Sequence, residues 1–93
     1  MDQDDIDRAI RRGQRAKIIL DDELVREARA EVRAEITKAW AESPVRDAEG
    51  RENLYLMLRM HDRVWQRLES VLDGGKFADA ALPPDQRRGL LNP

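Results

Sequence analysis

Along residues 54–72 the positions Leu54, Leu58, His61, Trp65, Leu68 and Leu72 recur at steps of four, three, four, three and four. Only an α-helix brings such positions onto one face. A second line, Met57, Met60, Val64 and Val71, runs beside the first. The apolar arc is therefore far wider than the roughly 100° seam with which a surface helix packs on one neighbour. A helix of this kind needs two partners, and the rest of the chain must be read for what it offers.

The best partner lies just upstream. From about residue 22 to 42, Leu24, Val25, Ala28, Val32, Ile36, Ala39 and Trp40 share one helical face, and Asp21 and Asp22 are of the type that starts helices. Arg26, Arg29 and Arg33 flank this stripe on one side and Glu27, Glu31 and Glu35 on the other, a pattern that orients a helix against a partner. Ser43-Pro44 ends the segment, because the residue before a proline is pushed out of the α region. Asp47 then caps a third helix, and Gly74-Gly75 is expected to stop it near residue 73. The short connection predicts an antiparallel pair, with Trp40 near Leu54 and Trp65 facing Val25 to Val32. A weaker helix over about 5–20 carries Ile6, Ile10, Ile18, Ile19 and Leu20, with Gly13 in its middle at a cost of ~1 kcal/mol relative to alanine.

Beyond Gly75 the composition changes. Lys76 to Pro93 holds Pro83, Pro84, Pro93 and Gly89, and its apolar residues Phe77, Leu82, Leu90 and Leu91 follow no period. The reading is an extended arm over 76–93, with a turn of helix starting near Pro84. The expected fold is thus all-α: a helical domain over 1–75, with helices about 5–20, 22–42 and 48–73, built as an antiparallel helical hairpin with a short N-terminal helix and an extended C-terminal arm.

With 93 residues one small domain is the ceiling, and chains of this size often draw stability from oligomer contacts. Charged residues make up 39 % and aromatics 4 %, the balance of solvent-exposed helices rather than of sheets. No cysteine is present, which removes disulfides and thiolate metal sites and fits a reducing compartment. The acidic start Met1-Asp2-Gln3-Asp4-Asp5 is unlike a signal peptide, and no apolar run approaches membrane-spanning length. Neither a membrane nor a small-molecule substrate is expected as a partner.

Nothing in the residue set points to chemistry. His61 is the one histidine and lies on the apolar stripe; a metal site needs three or four ligands. If buried, its ring needs a carboxylate or carbonyl partner. The carboxylates fall at helix starts or on exposed faces rather than in a cleft, and no glycine-rich phosphate loop precedes a helix. No catalytic, cofactor-binding or metal residues are therefore assigned, no cofactor is expected, and the chain is read as not an enzyme. Net charge is −2, so attraction to nucleic acid must come from a local patch. Arg8, Arg11, Arg12, Arg15 and Lys17 form the candidate nucleic-acid contact, although no aromatic is interleaved for base stacking. Fourteen of the seventeen basic residues are arginine, which favours planar pairing with carboxylates at interfaces, although a GC-rich genome gives the same bias for no physical reason.

One resemblance bears on setting. Ala39-Trp40, the run from Ser43 to Glu52, Leu54-Tyr55, the run from Leu68 to Leu72, and Gly75-Lys76-Phe77-Ala78 resemble a pattern in short uncharacterised tailed-phage helical proteins of the head and packaging gene set. The resemblance covers about residues 39–78 and implies a phage setting, in the virion or the cytoplasm of the infected bacterial host. It brings no functional residues with it. Together with the wide apolar face it implies a non-enzymatic virion or assembly component. Such a component would act through helix-mediated self-association and docking of the C-terminal arm, with itself or other phage structural proteins as partners. The expected partner interface is Met57, Met60, Val64, Trp65, Val71, Phe77, Leu82, Leu90 and Leu91. Two alternatives stand beside it. The chain is also similar in plan to the small terminase subunits that form DNA-packaging rings, although no separate helix-turn-helix precedes the hairpin; or it is a small regulator that binds a host protein.

Overall fold

The computed structural model of the protein describes residues 2–90. They form three helices, α1 (Gln3–Asp21), α2 (Glu23–Glu42) and α3 (Ala48–Ala80), followed by a short 3-10 turn at Pro84–Gln86. Among the described residues there is no strand.

The caps explain the boundaries. The Asp2 carboxylate accepts the Asp5 N–H at 2.9 Å, which starts α1 two residues earlier than its apolar positions indicate. Asp4 and Asp5 in the first turn suit the positive end of the helix dipole. Asp21, expected to open the second helix, is instead the last residue of α1, where Lys17 pairs with it one turn back. Asp22 leaves the helix with extended backbone (φ −63°, ψ 128°), and α2 begins at once. At the other end of α2 the Ser43 hydroxyl donates to the Trp40 carbonyl. Asp47 then accepts the Gly50 N–H at 3.0 Å as the cap of α3.

The chain divides into two compact units, one of residues 2–22 with 67–90 and one of residues 23–66. The first is built on a close helix crossing. A Cβ placed on Gly13 would lie 2.8 Å from the Gly75 Cα, and one on Gly75 would lie 2.9 Å from the Ala9 carbonyl oxygen. The two backbones touch where both side chains are single hydrogens. Around that point Ile10, Ala78, Leu82 and Leu90 form the buried cluster, with Ile6, Ala9 and Leu72 packed on it.

Two expectations are corrected here. Gly74-Gly75 does not stop α3, which continues to Ala80; neither glycine has positive φ, and Gly75 serves the crossing with Gly13 instead of a helix end. Nor is the segment after it an extended arm. Residues 76–80 complete α3, and Leu82 and Leu90 return to the core at 6 % and 5 % exposure.

What folds the segment back is the buried carboxylate of Asp79, which accepts the N–H groups of Arg88 at 2.7 Å and Leu90 at 3.1 Å. Arg87 donates to the carbonyls of Leu82 and Ala80, satisfying acceptors that the end of α3 leaves open. Arg88 reaches the Asp7 carboxylate on α1 at 2.7 Å. Gly89 turns the chain with a φ of +75°, where a side chain would be strained.

In the second unit, α2 meets the first part of α3 through Arg29 with Trp65, Arg33 with Asp62, and Trp40 with Arg51. Positions rise along α2 as they fall along α3, so these two stretches run antiparallel. Ile36 is the buried apolar residue at their contact.

The neighbouring glycines make a paired test of the crossing. Gly75→Ala is expected to destabilise by about 1–3 kcal/mol through overpacking against the α1 backbone. Gly74→Ala meets nothing within 4 Å, and is expected to stabilise by up to ~1 kcal/mol through helix propensity. Thermal unfolding followed by circular dichroism should move in opposite directions for the two; equal shifts would argue against the close crossing. Asp79→Ala leaves two amides without their acceptor and should cost about 1–3 kcal/mol. Limited proteolysis should then cut within residues 82–90 before any other site.

Candidate interaction surface

The apolar stripes on the second unit are more than its own packing uses. On α3, Leu54 and Leu58 are half-buried toward α2, together with His61 and Trp65. Met57, Met60 and Val64 point elsewhere and are 53 %, 59 % and 57 % exposed. At about 100° per residue these three lie roughly a quarter turn or more from the side that meets α2. On α2, Leu24, Ala28 and Val32 are turned away from α3 by a comparable angle and are likewise exposed. Arg33 and Asp62 join on one flank of the helix pair, and helical geometry puts both apolar lines on the opposite flank. They thus form one continuous apolar face. On the Arg33 side, Ile36, Thr37, Trp40, Ala41, Tyr55 and Leu58 line a mainly apolar cleft.

A polar chain holds the helix pair in register. The Trp65 indole N–H donates to His61 Nε2 at 3.3 Å, so in the neutral ring the proton is on Nδ1, which donates to Asp62 Oδ1 at 3.2 Å. Arg33 donates to both oxygens of the same carboxylate, at 3.2 and 3.5 Å. Hydrogen bonds from His61 and then Arg33 hold the Asp62 carboxyl below the usual carboxylate range. The single imidazole lone pair is taken up by the indole, so the chain orients side chains rather than presenting a free base to solvent. Arg29 lies over the Trp65 ring at 5.2 Å and Arg51 over the Trp40 ring at 4.3 Å. Arg51 also donates to the Ser43 hydroxyl at 2.9 Å, joining the end of α2 to the start of α3.

Of the residues expected at a partner interface, Met57, Met60 and Val64 are exposed together on one face, and Phe77 is exposed elsewhere on α3. Trp65 is half-buried against Arg29 and His61, and Val71 is half-buried in the first unit. Leu82 and Leu90 are corrected: they are buried inside the first unit because Asp79 anchors the returning chain, and they are not free for a partner. Leu91 lies outside the described residues. Sequence reasoning did not pick out Leu24, Ala28 and Val32 as exposed, since a stripe at helical spacing reads equally as core.

Of the basic group, Arg8, Arg11, Arg12 and Arg15 are exposed on α1, away from Ile10, Gly13 and Ala16. Lys17 does not join them as a free cation; it is paired with Asp21. Among the described residues no three or more metal-ligating side chains gather. No helix among them is long and apolar enough to cross a membrane.

No family model matches this chain, and neither does any curated protein or solved structure.

The depressed Asp62 carboxyl gives a pH test. A carboxylate whose folded-state pKa lies below its unfolded value adds stability above the unfolded value, and that contribution is lost as pH falls through the folded one. Asp62→Asn should therefore lower the melting temperature at neutral pH and flatten its decline on acidification, read by circular dichroism. Parallel profiles for the two proteins would mean that the ion pair contributes nothing measurable.

Proposed function

We propose that the protein is a non-enzymatic assembly component that works by helix-mediated self-association through the face made by Leu24, Ala28 and Val32 of α2 with Met57, Met60 and Val64 of α3. The observation that carries this reading is the poverty of the second unit's own core. Among its described residues Ile36 is the one buried apolar side chain, while nine large apolar side chains are at least 42 % exposed. A helix pair that hides so little has little hydrophobic stabilisation of its own and gains it by covering that surface. Contiguous exposed apolar surface of this kind marks a protein interface. Methionine suits such a role, because its unbranched, polarizable side chain adapts to the surface it meets.

The resemblance of residues 39–78 to short tailed-phage proteins supports a setting in a phage particle or its assembly, in the virion or in the infected cell. Docking by a C-terminal arm is not retained, since Leu82 and Leu90 are used internally.

Solution mass by light scattering over a range of concentrations tests the reading. The protein is expected to exceed the mass of one chain at high concentration. Met60→Glu with Val64→Glu should weaken association by at least about 100-fold, the scale of one or two interface hot spots, with helical circular dichroism retained. A single-chain mass at every concentration, unaffected by the double variant, would count against self-association.

A further inference from the structure

The arginines of α1 are arranged with more order than a solvated face requires. Arg8, Arg12 and Arg15 fall within about 60° of one another around α1 and span ~10 Å along it. Across from Arg12 stands Arg67 of α3, and the two border one shallow groove floored by Ala9, Val71 and Gly74, all within the first unit. Arg12 and Arg15 also line the adjoining hollow with Ile19 and Leu68. None of these four arginines has a carboxylate partner among the described residues. Lys17, Arg33 and Arg88, by contrast, each find one; what sets these four apart is that they gather at or beside adjoining hollows of one unit. Two like charges bordering one groove repel, and an anion between them turns that repulsion into attraction.

We propose that Arg8, Arg12, Arg15 and Arg67 bind the phosphodiester backbone of nucleic acid without reading its sequence. Guanidinium groups match phosphate oxygens with paired N–H donors. Three charges in a row plus a fourth across the groove fit a linear polyanion better than a single small ion. The groove floor is low, because Gly74 has open space where a side chain would stand. No aromatic side chain lines it, so nothing stacks on bases and no sequence preference is expected. An anionic lipid surface fits less well. A basic helix lying on a membrane must turn its apolar face to the lipid, and in α1 Ile10 and Ala16 are already buried.

The test is fluorescence anisotropy of the full-length protein with a labelled mixed-sequence DNA duplex across a salt series. Four phosphate contacts predict that affinity falls by ~150-fold between about 50 mM and about 200 mM salt. Arg12→Gln with Arg67→Gln removes two contacts, and the same salt change should then cost only ~12-fold. Arg26→Gln with Arg46→Gln, two exposed arginines of the other unit, should leave the salt dependence unchanged. Circular dichroism checks that each variant is folded. Absence of binding at about 50 mM salt overturns the proposal, as does an equal loss in the two double variants. So does binding to equimolar phosphatidylserine and phosphatidylcholine vesicles that is tighter than binding to the duplex.

Discussion

The first unit depends on two backbones being allowed to touch. Gly13 and Gly75 bring α1 and α3 so close that a methyl group on either would meet main-chain atoms. Each glycine in a helix costs about 1 kcal/mol of propensity relative to alanine. The return comes from what the short distance makes available: Ile10 is fully buried, Ala78 nearly so, and Leu90 can close over the crossing. With longer side chains at the crossing the helices would stand further apart. Leu82 and Leu90 would then lose part of the packing that buries them.

The second unit follows a different rule. Its helices are joined less by apolar burial than by a chain of polar and cation–π contacts, from Arg33 through Asp62 and His61 to Trp65, and from Arg51 to Trp40 and Ser43. Such contacts are directional and fix register, but each is worth little where solvent reaches it. The contrast between a unit closed around glycine contacts and one open along its apolar flank is the reason that self-association is proposed for the second.

Much of this was legible in the sequence. Helical spacing gave the helices, and Asp47 and Pro44 gave the turn between the second and third, because caps and breakers act locally. The Gly74-Gly75 pair was misleading for the same reason: read locally, two glycines end a helix. Their actual effect depends on Gly13, far away along the chain. The segment after Ala80 shows no period because it packs as a loop, where burial follows the path of the chain rather than a helical angle. Asp79 near the end of a helix is unfavourable by dipole arguments, and its use becomes visible only once the amides of Arg88 and Leu90 are seen to converge on it. The arginine row at 8, 12 and 15 could be seen from spacing, but not Arg67 across the groove.

The partition of α3 has a consequence for the order of events at the ribosome. Residues 23–66 form a unit from one continuous stretch, with all its contacts available as soon as that stretch has emerged. The unit built from residues 2–22 and 67–90 draws on both ends of the described chain, down to the ion pair between Asp7 and Arg88. Contacts of such long sequence separation form late, because the intervening loop must be closed first. During synthesis α1 must therefore wait beside a growing chain with Ile6 and Ile10 uncovered, until Gly75, Leu82 and Leu90 arrive. In that interval the helix most in need of cover has been made well before the residues that cover it.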